Sequence, residues 1–492
     1  MTSPLWRDEF ATRQYAALGI NDLVAATSHV DAVIAPYYAL VHLFSGVTGL
    51  GPGMRIWSVL AFGGAVALLS MLALRWWGRT AAVVTGTMLA LNSAVLSQAA
   101  NARPYALALC AIALATFLLE AALREQPVPG GTGKRVGAWV GYALAGILAV
   151  LMQPFAATAI VATVVLIRSR KTLIAWIAAS APWAVTTLLL LWNAGSQGGQ
   201  IEWVAPVSMD TVTTAIAKAA GMTGRGFPPT AAMVALIALL AVLAVTAAAC
   251  RRATLFAAAL VVMPVVLLVS LSLVVQPVVS WRYLLWISLG VALLTGAIAG
   301  AIAGAIVGRV GGSDAGRWRA SVRLGGRLIA GVLAIGLVAA TGWHTVAGLS
   351  AHPSPRDDFP AAVSQIQSDA HVGDLLIVMQ RYGQGGVAMG FALSAGDDAF
   401  VQEIEAASAE GPREPLAVRV VTSVDPLRTA VWDADPSAAA AADRSLWIVG
   451  VSSPRGEDPS TLPTSIAACF GEATDATRIE IPATRLYRIP CG

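Results

Sequence analysis

The chain has 492 residues, of which 57% are apolar and 12% charged, whereas a soluble domain carries about 25% charged residues. This composition excludes an ordinary soluble enzyme. The formal charge of +4 comes from Arg and Lys clustered between apolar runs rather than along one face, which argues against nucleic acid as a partner.

The first helix-like stretch, in residues 1–55, opens with two adjacent carboxylates, Asp8 and Glu9. A carboxylate that is partly desolvated at a membrane surface is suited to act as a general base on a hydroxyl group. The alternative is that both residues cap a helix N-terminus and stabilise its dipole. We keep both interpretations, with Asp8 as the candidate base.

An aromatic, amphipathic stretch follows, and it is too interrupted to span a membrane. It contains Tyr37 and Tyr38, is flanked by His29 and Asp31, and suits a helix that lies in the membrane interface. We predict that these four residues contact a substrate and that His29 and Asp31 face the same cavity as Asp8. The alternative for His29 is an ordinary surface residue.

Ten apolar runs between residues 56 and 349 predict transmembrane helices, because backbone amides in lipid must be satisfied within the segment. Several runs fall short of the ~20 residues that a span needs. The predicted spans are Ile56–Leu74, Ala81–Leu96, Ala106–Leu123, Val136–Leu151, Ala156–Ile167, Leu173–Leu191, Ala231–Ala249, Leu255–Val275, Leu284–Val307 and Ile329–Leu349.

Every second break between these runs is basic. The positive-inside rule places the basic breaks in the cytoplasm, and the other breaks, residues 1–55 and residues 351–492 outside it. Residues 1–55 then require either a further span before them or translocation by the first span. The basic breaks contain Arg75, Arg79, Arg124, Lys134, Arg135, Arg168, Arg170, Lys171, Arg251, Arg252, Arg309, Arg317, Arg319, Arg323 and Arg327. The outer breaks are Gln98–Tyr105, Met152–Phe155, Asn193–Pro229 and Gln276–Tyr283.

Two outer breaks end in an Arg close to a Tyr: Arg103 with Tyr105, and Arg282 with Tyr283. Short outer loops are depleted of Arg, so each of these Arg residues needs a reason, and bidentate binding of a lipid phosphate is one. Snorkelling to the interface is the other. The long outer break adds further candidates for sugar or phosphate contacts, namely Gln200, Glu202, Trp203, Lys218 and Arg225.

Residues 351–492 are less apolar and predict one α/β domain outside the cytoplasm. Asp358–Asp374 predicts a helix that leads into a strand, further strands are LAVRVV and SLWIVG, and RIEIPATRLYRI predicts a hairpin. We expect a structural or acceptor-binding module. Cys469 and Cys491 either form a disulfide in an oxidising compartment or remain two thiols.

These motifs together resemble the GT-C membrane glycosyltransferases. The likeness is greatest to the actinobacterial, family 39-like branch related to protein O-mannosyltransferases and aminoarabinose lipid A transferases. Two departures are Asn101, where the family has an acidic residue, and Met152–Gln153, where many relatives have His. The resembling stretches are Trp6–Glu9, Asp31–Phe44, Arg55–Val59, Asn101–Leu107 and, more weakly, Ser280–Leu285.

The resemblance implies a GT-C-like fold of about ten or eleven transmembrane helices. It also implies transfer of a sugar, with mannose preferred, from a polyprenyl-phosphate carrier to a lipid, glycan or protein acceptor outside the cytoplasmic membrane, with inversion. Asp8 would be the base, and Glu9 would assist it or bind a divalent metal ion, with His29 as the other candidate ligand. Arg103 and Arg282 would hold the carrier phosphate.

Two alternatives of other classes remain. A transporter or flippase of lipid-linked sugars would show broken helices and polar groups at mid-membrane, whereas the polar groups here collect at one face. A non-catalytic cell-envelope scaffold would tolerate the loss of Asp8.

Overall fold

A computed structural model describes residues 5–28, 30–124, 131–195, 197, 204–222, 251–310, 358–371, 374–378, 387–396, 399–402, 404, 417–423, 431–433, 444–450, 477–481 and 484–491. The chain divides into two compact units, one made of Met1–Met54 with Pro353–Gly492 and the other of Arg55–His352. The α-helices of the described residues, in chain order, are α1 (Arg7–Ala17), α2 (Ile20–Thr27), α3 (Ala35–Thr48), α4 (Ile56–Trp77), α5 (Arg79–Ala90), α6 (Ser93–Ala99), α7 (Tyr105–Leu123), α8 (Gly131–Met152), α9 (Ala157–Ile160), α10 (Arg170–Ala194), α11 (Met209–Ala219), α12 (Arg251–Val274), α13 (Ile287–Val310), α14 (Phe359–Asp369) and α15 (Val387–Ala395).

The second unit, Arg55–His352, is built of apolar helices, so the protein is an α-helical multi-pass membrane protein. Large apolar side chains stand on the outside of these helices: Leu60, Leu144 and Leu188 are each at least 60% exposed, as lipid-facing residues are. Among the described residues, five helices are long and apolar enough to cross a membrane, and they confirm five of the predicted spans. They are Pro52–Trp77, Tyr105–Leu123, Gly133–Met152, Arg170–Ala194 and Arg252–Val274.

The predicted span Ala81–Leu96 is wrong as a single helix. Helices α5 and α6 meet at a 64° bend, so the pair is either one broken span or a re-entrant segment. The break has a chemical cause: the Val95 N–H donates to Asn92 Oδ1 at 3.0 Å, which caps α6. Short polar side chains of this kind compete with the helical backbone and favour a new helix start.

The predicted span Ala156–Ile167 is also not a regular α-helix. It consists of 3₁₀ turns at Pro154–Ala156 and Val161–Leu166 on either side of the short α9. Thr163 Oγ1 donates to the Ile160 carbonyl at 2.6 Å and accepts from Trp176 Nε1 at 3.0 Å. Thr163 thus satisfies a backbone carbonyl of its own irregular segment and is itself held by Trp176 of the neighbouring α10.

The ninth predicted span, Leu284–Val307, begins with a 3₁₀ turn at Trp281–Leu284, and its regular helix α13 starts only at Ile287. Glycines let α13 approach its neighbours closely. A Cβ added at Gly296 would lie 2.8 Å from the Ala81 carbonyl oxygen, and one at Gly300 would lie 2.8 Å from that of Trp77. Small residues at such crossings allow the van der Waals packing that holds membrane helices together. The predicted spans Ala231–Ala249 and Ile329–Leu349 lie outside the described residues.

Basic breaks of the sequence meet at one end of this helical unit, which we call the basic end: residues 75–79, 120–124, 166–170 and 251–256. Arg75 Nη1 lies 3.1 Å and Arg124 Nε 2.7 Å from the Glu120 carboxylate. Arg252 Nη1 donates to the Ile167 carbonyl at 2.9 Å. The structure thus brings together breaks that the charge alternation assigned to one side of the membrane. That this side is the cytoplasm stays a prediction.

The first unit contains a six-stranded sheet in the order β3–β2–β1–β4–β6–β5, with β1 and β4 parallel and the other neighbours antiparallel. Predicted strands and the predicted hairpin are present, and the predicted helix is α14. Buried Asp374 links β1 to β4, because its carboxylate accepts from the Ser445 N–H at 2.8 Å and from Trp447 Nε1 at 2.9 Å. The strands are β1 (Leu375–Val378), β2 (Ala417–Ser423), β3 (Val431–Asp433), β4 (Arg444–Gly450), β5 (Thr477–Ile481) and β6 (Thr484–Cys491).

Helix α1 belongs to the same unit as this sheet. The rings of Phe10 and Phe359 meet edge to face, with centroids 5.9 Å apart, and both side chains are buried. Gly390 of α15 lies against them, and a Cβ there would come within 2.6 Å of the Phe359 ring. The sequence segments 1–55 and 351–492, which we predicted as separate parts, are therefore grouped together. Cys469 lies outside the described residues, so the disulfide stays a prediction.

Candidate functional site

The two N-terminal carboxylates are in different environments. Glu9 is fully buried, and its Oε2 accepts the Trp6 N–H at 3.3 Å, which is the contact of a helix cap. Asp8 is half-buried, and its main-chain carbonyl accepts from Thr12 Oγ1 at 3.0 Å. Of the pair, Asp8 is the residue with exposed surface, whereas the capping interpretation describes Glu9.

Tyr37 and Tyr38, which we predicted as substrate contacts, are core residues, and Tyr38 fixes the position of Asp31. Tyr37 and Tyr38 are both fully buried, and Tyr38 Oη donates to Asp31 Oδ2 at 2.7 Å. The Tyr38 ring stacks on Tyr15 of α1 with centroids 5.1 Å apart. Asp31 has a φ of 56°, the left-handed region that Asp tolerates better than most residues. This geometry fixes the Asp31 carboxylate, which is half-buried at the start of α3.

A metal ion finds no ligand set among the described residues: no group of three His, Cys, Asp or Glu side chains is placed to hold one. Glu9, the predicted ligand, is fully buried and accepts a backbone N–H instead. His29, the other predicted ligand, lies outside the described residues, as do Gln200, Trp203 and Arg225. These residues therefore stay predictions.

In the helical unit, described parts of the four outer breaks converge, together with residues beside them, at the end that we call the polar end, which consists of residues 92–105, 152–158, 208–222 and 276–286. Asn92 Nδ2 donates to the Ala219 carbonyl at 3.4 Å, which joins the first break to α11. The rings of Phe155 and Tyr283 have centroids 4.9 Å apart, which joins the second break to the fourth. Breaks far apart in sequence thus form one surface.

Two cations at the polar end lie over the same indole ring. Lys218 Nζ is 4.4 Å and Arg282 Cζ is 5.9 Å from the centroid of Trp281. The electron-rich face of the ring attracts each cation. Lys218 is exposed and Arg282 half-buried, so a ligand anion can reach both. A lysine and an arginine placed this close together are residue types suited to bind a phosphate.

Arg103 is buried, with 7% of its surface exposed. Its N–H donates to the Asn101 carbonyl at 2.9 Å, and its own carbonyl accepts from Ser58 Oγ at 3.2 Å. The turn before α7 is therefore fixed to α4. A snorkelling Arg would extend to the water, so this burial argues against the anchor interpretation and for an internal role. Tyr105, which starts α7, is buried in the apolar core of the unit.

Sequence reasoning underestimated two residues of the polar end. Trp281 was ordinary in sequence, although its place beside Arg282 in the SWRYLLW stretch was a usable signal. Lys218 was one candidate among several in a long break, and only the packing of α11 shows that it stands over Trp281.

No protein-family model and no curated protein matches the chain. Solved structures similar to it include two of the same protein. One is ArnT from Cupriavidus metallidurans in the apo state, with 14% identity and a TM-score of 0.48, covering 100% of this chain and 94% of that one. The other is ArnT from Cupriavidus metallidurans bound to undecaprenyl phosphate, with 13% identity and a TM-score of 0.45, covering 93% and 87%.

Proposed function

We propose that the chain is a membrane glycosyltransferase of the GT-C type that moves a sugar, mannose, from a polyprenyl-phosphate carrier to a cell-envelope acceptor outside the cytoplasm. The observation that supports it most is the convergence of cations at the polar end. Lys218 and Arg282 lie over Trp281, and Arg103 is buried in the turn before α7. Cations collected at one end of an apolar bundle suit a lipid whose head group is a phosphate.

In the proposed reaction, Asp8 takes the proton from an acceptor hydroxyl while that oxygen attacks the anomeric carbon of the sugar. The bond from this carbon to the phosphate oxygen breaks, and its electron pair leaves with polyprenyl phosphate. Attack opposite the leaving group inverts the anomeric centre. Arg103 and Arg282 stabilise the charge that develops on the phosphate. Asp31 is proposed to bind the sugar, and no step requires a metal ion.

The test is transfer of radiolabelled mannose from polyprenyl-phosphate mannose to a cell-envelope extract by the full chain in liposomes. We expect Asp8→Asn to lower the transfer rate by about 10²-fold or more, since removal of a general base costs that much. Asp22→Asn is the matched control, because Asp22 is an exposed aspartate in the first turn of the neighbouring α2. Equal rates in the two folded variants would refute Asp8 as the base.

A transporter or flippase of lipid-linked sugars is the second candidate, and the broken helices favour it. The 64° bend between α5 and α6, the 3₁₀ segment Val161–Leu166 and the prolines Pro182 and Pro264 inside α10 and α12 are features of transporter helices. Liposomes with the labelled lipid on one leaflet separate the two functions. Movement of label between leaflets without any glycosylated product would support the transporter.

A further inference from the structure

Helix α6 has a buried asparagine at each end, and the two have opposite surroundings. Asn92, 2% exposed, has partners for both side-chain atoms: the Val95 N–H at 3.0 Å and the Ala219 carbonyl at 3.4 Å. Asn101 is 7% exposed, and its buried Nδ2 has no hydrogen-bond partner among the residues that the structure describes. The amide of Asn92, at the start of α6, is thus hydrogen-bonded within the protein. The amide nitrogen of Asn101, just after the end of α6, has no partner among the described residues.

A buried donor without an acceptor destabilises the folded chain, because it has lost its water and gained nothing in return. Replacing Asn101 by an apolar residue would relieve that cost. An amide that the fold itself does not use therefore points to a ligand that presents an acceptor atom. Asn92 shows that the same stretch of chain can satisfy a buried amide within the protein.

Arg103 indicates the kind of acceptor. It stands two residues after Asn101, is equally buried, and is tied to it by the hydrogen bond from its N–H to the Asn101 carbonyl. A guanidinium offers only donors, and the Asn101 Nδ2 adds further donors on the same turn. An oxygen with negative charge and several lone pairs can accept hydrogen bonds from both groups, and a phosphate oxygen has these properties.

We propose that Asn101 is a ligand-binding residue whose side-chain amide donates a hydrogen bond to a phosphate oxygen of the lipid carrier held by Arg103. This inference rests on the proposed function and adds to it a neutral donor that the cations do not supply. A neutral donor binds the phosphate without adding positive charge. It therefore helps to hold the anion and places no further charge in the buried turn.

The experiment compares Asn101→Ala with Asn92→Ala in the purified full chain in nanodiscs. Affinity for polyprenyl phosphate is measured by tryptophan fluorescence, and thermal unfolding is measured without ligand. We expect Asn101→Ala to bind about tenfold more weakly, with an unchanged or higher unfolding temperature, since its amide bonds only the ligand. Asn92→Ala should unfold at a lower temperature, which shows that the assay detects the loss of a satisfied amide.

Asn101→Asp tests whether the Asn101 side chain acts as a hydrogen-bond donor or only fills space. It keeps the size of the side chain but brings a carboxylate towards the phosphate, so binding should be weaker than in Asn101→Ala. If Asn101→Asp binds as well as the unaltered chain, the amide does not contact a phosphate. Inorganic phosphate, added as a competitor, tests whether the head group alone is recognised; tighter binding of free phosphate than of the lipid would contradict a lipid carrier.

The outcomes distinguish this inference from the function on which it rests. An unaltered chain that fails to bind polyprenyl phosphate refutes both. Binding by the unaltered chain, with equal affinity in Asn101→Ala, refutes only the role of Asn101. A lower unfolding temperature in Asn101→Ala, like that of Asn92→Ala, would make Asn101 a structural residue and would also overturn the inference.

Discussion

The basic end and the polar end of the helical unit both contain basic side chains, but their contacts differ. At the basic end, Arg75 and Arg124 share the Glu120 carboxylate, and Arg252 donates to a backbone carbonyl. At the polar end, Lys218 and Arg282 lie over the ring of Trp281. A carboxylate neutralises a cation, whereas an indole attracts it without cancelling its charge.

This difference indicates what each end does. At the basic end, Arg75, Arg124 and Arg252 have partners within the protein, so they stabilise the packing of helix termini. At the polar end the observed contact of Lys218 and Arg282 is with an aromatic ring, and we propose that these cations bind the carrier phosphate. Residue type alone does not separate the two roles; the partner does.

The largest expected effect is on transfer and affects only the polar end. Arg282→Gln should lower the rate of mannose transfer about 100-fold, because the leaving phosphate loses a charged hydrogen-bond donor in the transition state. Arg124→Gln at the basic end, a matched loss of one exposed guanidinium, should leave the rate within about twofold. The radiolabel assay measures both. Similar losses in the two variants would remove the functional distinction between the ends.

The second effect is on stability and affects the basic end. Glu120→Ala removes the acceptor that Arg75 and Arg124 share, and should lower the free energy of unfolding by about 1–2 kcal/mol, since the Glu120 side chain is only 13% exposed. Thermal unfolding in detergent measures it, and affinity for polyprenyl phosphate should not change. A loss of affinity without a loss of stability would show that the basic end binds the carrier.

The smallest effect compares two aromatic rings. Trp281→Leu removes the ring under Lys218 and Arg282 and should weaken carrier binding about fivefold, in keeping with ~1 kcal/mol for a cation–π contact. At the basic end, Phe117 lies 4.0 Å from Arg75 Cζ in a similar contact. Phe117→Leu should leave carrier binding unchanged. Titration of both variants with polyprenyl phosphate tests the pair, and equal weakening would contradict it.

Much of the helical unit follows from apolar patterning. Hydropathy placed α4, α7, α8, α10 and α12, because a lipid-spanning helix must be long and apolar whatever it packs against. It failed at α5 and α6, where the Asn92 side chain caps a new helix, and at Val161–Leu166, where Thr163 bonds to a nearby carbonyl. Single polar side chains accompany these interruptions of the helices. Hydropathy averaged over many residues does not detect the effect of one side chain.

The candidate site was partly predictable in the same way. Arg103 and Arg282 were visible because Arg is unexpected in short outer loops. The sequence left open whether Asp8 and Glu9 are catalytic or both cap α1, and for Glu9 its burial and its bond to the Trp6 N–H favour the cap. Asn101 stood out in sequence only as a departure from a pattern, and its unsatisfied amide became apparent only once its neighbours were in place.

The sequence by itself determined that this protein spans a membrane, that its basic breaks alternate, and that an α/β unit is formed near its C-terminus. Those properties depend on composition and on the pattern of neighbouring residues, because hydrophobicity and charge within a short stretch of chain specify them. Only the tertiary structure decided that α1 packs against α14 and α15, that Lys218 reaches Trp281, and that Asn101 Nδ2 has no acceptor within the part of the chain that the structure describes. Each of these depends on segments distant along the chain, and their contacts are set by packing rather than by local order.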